Sequence, residues 1–213
     1  MLKTEFHCHT CYSKDSLVTI QSLLRACHKK GLQRLVVTDH NTILGAQRAK
    51  QLDPELVIIG EEIMTQEGEL LAAFVKEKVP AGLPPLEAIQ ILRAQDAFIS
   101  VSHPFDALRE GHWETNALLD ILPYVDAIEI FNARCMSPEF NTRAADFAQQ
   151  HALLGTVGSD AHTAGEIGTA TLSLPAFDDS VSLKKALLLG QPNVRLSSPW
   201  VHLFSRYAAW RKR

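Results

Sequence analysis

The chain has no acidic residue after Asp179. It also has no apolar run approaching the ~20 residues that cross a bilayer. Three common motifs are missing: the Gly-x-x-x-x-Gly-Lys phosphate loop, the Gly-x-Gly-x-x-Gly dinucleotide fingerprint and the Gly-x-Ser-x-Gly nucleophile elbow. These absences argue against a spanning segment, a P-loop or dinucleotide site and a serine hydrolase of that type. Cysteine is sparse, with only Cys8, Cys11, Cys27 and Cys135. Cys8-x-x-Cys11 has a metal-binding spacing, but no second pair accompanies it, so a zinc-finger reading is weak and reduced thiols are expected. No signal-peptide pattern precedes the first apolar run, and the expected location is cytoplasmic.

What is present is ordinary in bulk and uneven in detail. The 213 residues fit one domain with a small appendage, and 46% hydrophobic with 21% charged residues suit a globular core. The net charge of −3 hides a split: seven Lys or Arg and no acid follow Asp179, leaving 14 basic against 24 acidic residues before it. Part of that acidity is what a cation site needs.

Short apolar runs alternate with amphipathic stretches. Strands are expected at 2–8, 35–37, 56–60, 70–76, 97–102, 127–131, 153–157 and 169–174. Helices are expected at about 19–30, 43–52, 84–94, 115–122, 137–150 and 180–189. Thr19 can cap the first helix and Gly31 can end it; Pro84-Pro85 and Ser137-Pro138 suit helix first turns. Repeated β-α alternation implies a parallel sheet or barrel, in which active sites gather at the C-terminal ends of the strands.

Candidate ligands fall at those ends. His7 and His9 stand two apart on a strand, so both side chains point the same way. Thr38-Asp39-His40 follows Leu35-Val36-Val37. Gly60-Glu61-Glu62, Ser102-His103-Pro104, Asn132 and Gly158-Ser159-Asp160-Ala161-His162 end other runs. Each alone reads more simply as a turn, a cap or a solvated face. Together, six strand ends carrying ligand-type residues point to a cluster of divalent metals and hydrolysis. Asp39 is placed to orient an imidazole from behind. Asp15 reads as a turn residue or a ligand, and Glu69 as a ligand or a merely exposed group. His28, His151 and His202 read as ordinary, and His112 as a loop residue.

These pieces resemble the PHP (polymerase and histidinol phosphatase) family, in its order and over nearly the whole chain. The matching stretches are His7-Cys8-His9-Thr10, Tyr12-Ser13-Lys14-Asp15-Ser16, Thr38-Asp39-His40-Asn41, Gly60-Glu61-Glu62-Ile63, Ser102-His103-Pro104 and Gly158-Ser159-Asp160-Ala161-His162. The resemblance implies an α/β fold, a distorted TIM-like barrel of about seven β/α units over residues 1–195. Residues 196–213 would form a basic amphipathic helix or tail. It implies two to three divalent ions (Mn, Zn or Fe). His7, His9, Glu62 and Asp160 would hold one, Asp15, His40 and His162 a second, and Glu62 with His103 a third. Many members carry another His after that glutamate; this chain has none between His40 and His103, and Glu69 is the nearest substitute.

The implied activity is hydrolysis of a phosphoric ester bond, as a phosphatase or phosphodiesterase, by metal-activated water. The substrate would be a phosphorylated small molecule, a nucleotide or a nucleic-acid end. Asp160 and His162 are candidates to steer protons. Glu129-Ile130-Phe131-Asn132-Ala133-Arg134 is similar to short stand-alone members, so Asn132 and Arg134 are candidates to bind substrate. Arg134 offers a planar fork of donors to phosphate, or a salt bridge to a nearby carboxylate. The alternative is a catalytically silent metal-binding module acting through a partner or nucleic acid. The oligomeric state is not readable. Trp200, Leu203, Phe204 and Tyr207 fall on one helical face ahead of Arg211-Lys212-Arg213. Such a stripe more commonly packs on its own barrel than contacts a membrane, nucleic acid or second subunit.

Overall fold

The computed structural model describes residues 1–212; Arg213, the last basic residue of the tail, lies outside them. Nine strands form one sheet, ordered β7-β6-β5-β4-β3-β2-β1-β8-β9. They are β1 (Leu2–Glu5), β2 (Arg34–Val37), β3 (Val57–Met64), β4 (Glu69–Ala73), β5 (Phe98–Val101), β6 (Ala127–Asn132), β7 (Leu154–Gly158), β8 (Ala170–Leu174) and β9 (Gln191–Val194). The helices are α1 (Ile20–Lys29), α2 (Leu44–Leu52), α3 (Pro85–Arg93), α4 (Thr115–Ile121), α5 (Pro138–Gln150), α6 (Ser180–Leu187) and α7 (Val201–Arg211). None of them is long and apolar enough to cross a membrane.

Local chemistry sets the helix ends. The Thr19 hydroxyl accepts from Ser22 N at 3.2 Å, and α1 buries Ile20, Leu23 and Cys27. Gly31, at φ 67°, turns the chain out of the helix. Pro85 and Pro138 sit in the first turns of α3 and α5.

The sheet curls into a nearly closed barrel, as the alternation implied, with two departures from pure β/α repetition. β4 is antiparallel to both β3 and β5, and β8 is antiparallel to β1. The tight turn at residues 65–68 leaves no room for a crossover helix, and a hairpin must reverse direction. β9, a short exposed edge paired with β8, was not expected from the sequence. Its Gln-Pro-Asn-Val composition carries no apolar alternation to reveal it.

The barrel closes at the rim. Asp160 N donates to His7 O at 2.8 Å, and His9 N to Ala161 O at 2.9 Å, joining the exits of β1 and β7. Gly158 permits this: a Cβ there would collide with His7 Cβ and the Glu129 carboxylate. Inside, Phe6, Val36, Ile58, Phe98 and Val157 form the barrel core, with Phe177 among them.

The apolar stripe of α7 does not pack on the barrel. Trp200, Leu203, Phe204, Tyr207 and Trp210 are each at least 50% exposed, whereas Ala208 is the one buried residue of the helix. Polar anchors on the opposite face decide the orientation. Arg134 Nη2 donates to Ser205 Oγ at 2.8 Å, His202 Nε2 donates to Arg134 O at 3.1 Å, and Lys212 Nζ donates to carbonyls of the loop after β1. Helical periodicity identified the stripe but not which face docks.

Candidate metal centre

The rim gathers the candidate ligand residues into one largely buried cluster. His7 and His9 leave β1 with their Nε2 atoms 3.1 Å apart. Between them and β7 lies Asp160, whose Oδ1 is 3.2 Å from His9 Nε2 and 3.6 Å from His7 Nε2. Glu62, on β3, brings Oε1 to 3.3 Å from His7 Nε2 and Oε2 to 3.3 Å from His9 Nε2. Asp160 adopts φ 51°, a left-handed conformation that Asp tolerates and that re-aims its carboxylate at the rim.

A second group lies further out. Asp15 Oδ2 is 3.2 Å from His162 Nε2 and 3.6 Å from His40 Nε2. The third is built on β4. Glu69 is its first residue, and because β4 runs antiparallel, that residue lies at the same rim as its neighbours' C-terminal ends. His103 Nε2 stands 3.3 Å from Glu69 Oε2 and 3.2 Å from Glu62 Oε1, and His40 Nδ1 stands 3.0 Å from Glu62 Oε2. Ligand atoms within 4.8 Å of one another form three overlapping sets: His7, His9, Glu62; His9, His40, His162; and His40, Glu62, Glu69.

The donor set fits divalent cations. Glu62 Oε2, Asp160 Oδ1 and Asp15 Oδ1 are buried carboxylate oxygens without a hydrogen-bond partner in the protein. Such atoms are rare and call for a partner. Three of the imidazoles, those of His7, His9 and His162, are also held from behind. Glu129 Oε1 accepts from His7 Nδ1 at 2.9 Å, leaving Nε2 for the cluster. His162 Nδ1 donates to Asp160 O at 2.8 Å, again freeing Nε2. Asp39 acts through an intermediary: Ser13 Oγ donates to Asp39 Oδ1 at 2.6 Å and accepts from His9 Nδ1 at 3.1 Å. Thr10 N and Oγ1 also donate to Asp39, each at 2.6 Å.

The electrostatics follow from crowding. Burial opposes ionisation of Asp160, yet Arg109 and His7 hold its carboxyl well below the usual range. Burial likewise opposes ionisation of Glu62, and His7 and His40 outweigh it. Burial, with His162 and His40 beside it, pushes His9 down to about 3, so its imidazole is neutral at physiological pH. Burial and Arg109 act against protonation of His103, but Glu62 and Glu69 raise it to about 9.

Glu129 and Arg109 are functional candidates that sequence reasoning missed. Glu129 accepts from His103 N at 2.9 Å and Asn132 Nδ2 at 3.1 Å besides His7. A register shift between Glu129 and Phe131 puts Glu129 and Asn132 on one side, which a regular strand would separate. Asn132 Nδ2 also reaches Asp160 Oδ2 at 3.2 Å. Arg109, in the irregular segment after β5, lies 2.6 Å from Asp160 Oδ2 and 3.0 Å from Asp106 Oδ2. Arg134 is buried, lines the same cavity, and reaches Asp160 O at 3.4 Å as well as Glu166 at 3.6 Å and Ser205 at 2.8 Å. A cavity of about 490 Å³ opens over the cluster, lined in part by Asp15, His40, Glu69, Arg109, His162 and His202.

Comparison with known proteins agrees with this geometry. Residues 5–92 match the PHP domain family, and residues 138–192 match the family described as PHP-associated. An uncharacterized protein of Methanocaldococcus jannaschii is 33% identical over 215 residues, covering 93% of this chain and 87% of that protein. A two-domain protein of Bacteroides vulgatus, containing a predicted PHP-like metal-dependent phosphoesterase, superposes with a TM-score of 0.70 at 19% identity. That match covers 91% of this chain and 65% of that one. The lesion-specific endonuclease EndoQ of Pyrococcus furiosus superposes at 0.60 with 16% identity, over 93% of this chain and 59% of that one. At such identities these structures share the fold. With the PHP match over residues 5–92 carrying His7, His9, Asp15, His40, Glu62 and Glu69, and a relative 33% identical aligning over 93% of the chain, the chain belongs to the PHP domain family.

Proposed function

We propose that the protein is a metal-dependent phosphoesterase acting on a small phosphorylated molecule, a nucleotide or the phosphorylated end of an oligonucleotide. The observation that carries this reading is the juxtaposition of an orphaned cluster of candidate ligands with the Arg109 guanidinium lining the same cavity. His7, His9, Glu62 and Asp160 would hold one divalent ion, and Asp15, His40 and His162 a second. Glu69 and His103, with Glu62, form the third position. The four carboxylates carry charge matching two divalent ions when the five imidazoles are neutral. Mixed nitrogen and oxygen ligation suits manganese, zinc or iron. Bound there, such ions supply Lewis acidity and a water of lowered pKa.

The chain's own residues do the rest. Arg109 presents a planar fork at the cavity wall, and its link to Asp160 leaves donors for the non-bridging oxygens of a phosphate. Asn132 Nδ2 and Glu129 keep Asp160 and His7 in their orientations. Asp160 and His162 serve as ligands here, which limits their freedom to carry protons. Arg134, engaged with Glu166 and Ser205, supports the cavity wall and stands second to Arg109 as a phosphate group. The segment 108–111 and α7 flank the opening, so a terminal phosphate fits better than the middle of a duplex.

The test is hydrolysis by protein loaded with Mn, Zn or Fe. A phosphomonoester, a nucleoside 3′,5′-bisphosphate and a 5′-phosphorylated oligonucleotide would be compared, beside His9→Ala. Metal-dependent turnover lost in the variant supports the reading and ranks the substrates. Bound metal without turnover on any of them would favour a silent binding module.

A further inference from the structure

The tightest tie between α7 and the barrel is a single ammonium group. Lys212 Nζ donates to Cys11 O at 2.8 Å, Ser13 O at 2.6 Å and Ser16 O at 2.6 Å. Three N–H donors meet three carbonyls, so the group is fully satisfied. Its contacts among the described residues are these carbonyls. All three carbonyls belong to the loop between β1 and α1, and Asp15 lies between the second and third.

That loop has little regular structure of its own. Its bonds between backbone groups are Cys11 N to Val18 O at 2.8 Å, Ser13 N to Thr10 O at 3.0 Å and a long one from Ser16 N to Ser13 O at 3.5 Å, while Ser13 Oγ, bonded to Asp39 Oδ1 at 2.6 Å and to His40 N at 3.1 Å, pins the first half of the turn. Ser16 Oγ adds 3.3 Å contacts to His9 O and His162 O. The Asp15 backbone donates none of these bonds. Its carboxylate is held against His40 and His162 only if the turn around it keeps its shape. At the other end of α7, Ser205 and His202 are bonded to Arg134 on the exit of β6. The helix therefore spans from the β6 exit to the β1 exit, along one wall of the cavity.

We propose that Lys212 is a positioning residue: it latches the 11–16 loop so that Asp15 stays in register with His40 and His162, and so sets occupancy of the outer metal position. This rests on the reading that those three residues take a cation. The inner group needs no such latch, because its ligands stand on strand ends joined across the closed rim.

The experiment compares wild type with Lys212→Met, Lys212→Arg and a chain ending at Arg211. Manganese titration by calorimetry, metal content after desalting, and hydrogen exchange of residues 11–17 are the readouts. Thermal midpoint and exchange elsewhere check the fold. In Lys212→Met the outer ion should weaken by about tenfold or more, the scale found when a residue supporting a ligand is removed. The inner ion should be retained, and exchange should quicken in 11–17 alone. The shortened chain should behave alike. Lys212→Arg should recover part of the loss, since a planar fork reaches two of three converging carbonyls. Unchanged titration and exchange in Lys212→Met would overturn the proposal. A wild type that binds only one ion would instead overturn the outer-site reading, while the exchange comparison would still judge the latch.

Discussion

The inner and outer parts of the cluster are built in different ways. His7, His9, Glu62 and Asp160 are essentially inaccessible to solvent and lie at the exit of β1, on β3 and at the exit of β7. Asp15 and His40 have side chains 22% and 17% exposed, and Asp15 hangs on a loop. The inner group is rigid by construction, since moving one ligand means breaking the barrel's closure. The outer group stands partly on a turn pinned by Ser13 to Asp39 and, by the latch proposed above, on three carbonyls held by Lys212. Elements with few backbone bonds open at lower free energy than core strands, so the outer group should exchange ions and respond to mutation first.

The largest effect should come from breaking the inner group. Asp160→Ala removes a proposed ligand and leaves Arg109 without its closest carboxylate. We expect activity to fall more than about 10³-fold, with loss of the inner ion in metal analysis. Retention of both ions with an intact rate would erase the distinction between the two groups.

Asp15→Asn is the matching outer change. It should release one ion and keep the other. The rate should fall less than in Asp160→Ala, and excess metal should restore part of it. The same variant tests an acid limb. Burial opposes ionisation of Asp15, but His162 and His40 hold its carboxyl well below the usual range. A depressed carboxylate contributes stability above its unfolded value of about 3.9 and loses it as pH falls. Metal-free Asp15→Asn should therefore lose the part of acid unfolding that wild type shows below about pH 4.

Arg109→Met sharpens the comparison from the substrate side. Charge-assisted hydrogen bonds are worth about 1.5–3 kcal/mol, so kcat/KM should drop roughly 10–150-fold. The metal stoichiometry should stay intact, and KM should carry much of the change. An equal fall in Arg134→Met, with KM unmoved in Arg109→Met, would return the phosphate role to Arg134.

The clustering of the candidate ligands was legible because most of them follow an apolar run that stops at the rim. His7, His9, His40, Glu62, His103, Asp160 and His162 needed only strand positions to be placed together. Glu69 was legible only as a substitute, because its location depends on β4 running backwards, which a hairpin turn hints at and no apolar pattern encodes. Glu129 was hidden by the bulge in β6: alternation puts it on the face opposite Asn132, whereas both meet Asp160's surroundings. Arg109 sits in an irregular segment whose path is set by its own bonds to Asp106 and Asp160. Lys212 touches residues about 200 positions away, which no local pattern reports. The docked face of α7 was misjudged for the same reason, since a few polar anchors outweigh an apolar stripe.

The smallest effect tests whether the inner region's rigidity has a cost. Glu5, on β1 two residues before His7, is fully buried. Burial raises its carboxyl to about 8, although Gly168 N donates to Oε2 at 2.5 Å and Lys30 and His7 lower it. A group raised in the folded state favours folding fully below its unfolded value of about 4.5. That contribution is lost as pH rises through about 8, when the buried carboxyl must ionise or the chain must open. At about 1.36 kcal/mol per pH unit, the gap between the two values caps the effect at about 5 kcal/mol; relaxation and water entry should leave about 1–2 kcal/mol. Glu5→Gln keeps an acceptor for Gly168 and cannot ionise. Its urea midpoint should therefore match wild type near pH 5 and exceed it near pH 9, with no change in the outer ion. Parallel curves at both pH values would mean that the strand beneath the inner ligands carries an ionised Glu5 without penalty, and that the barrel is more open there than its packing implies.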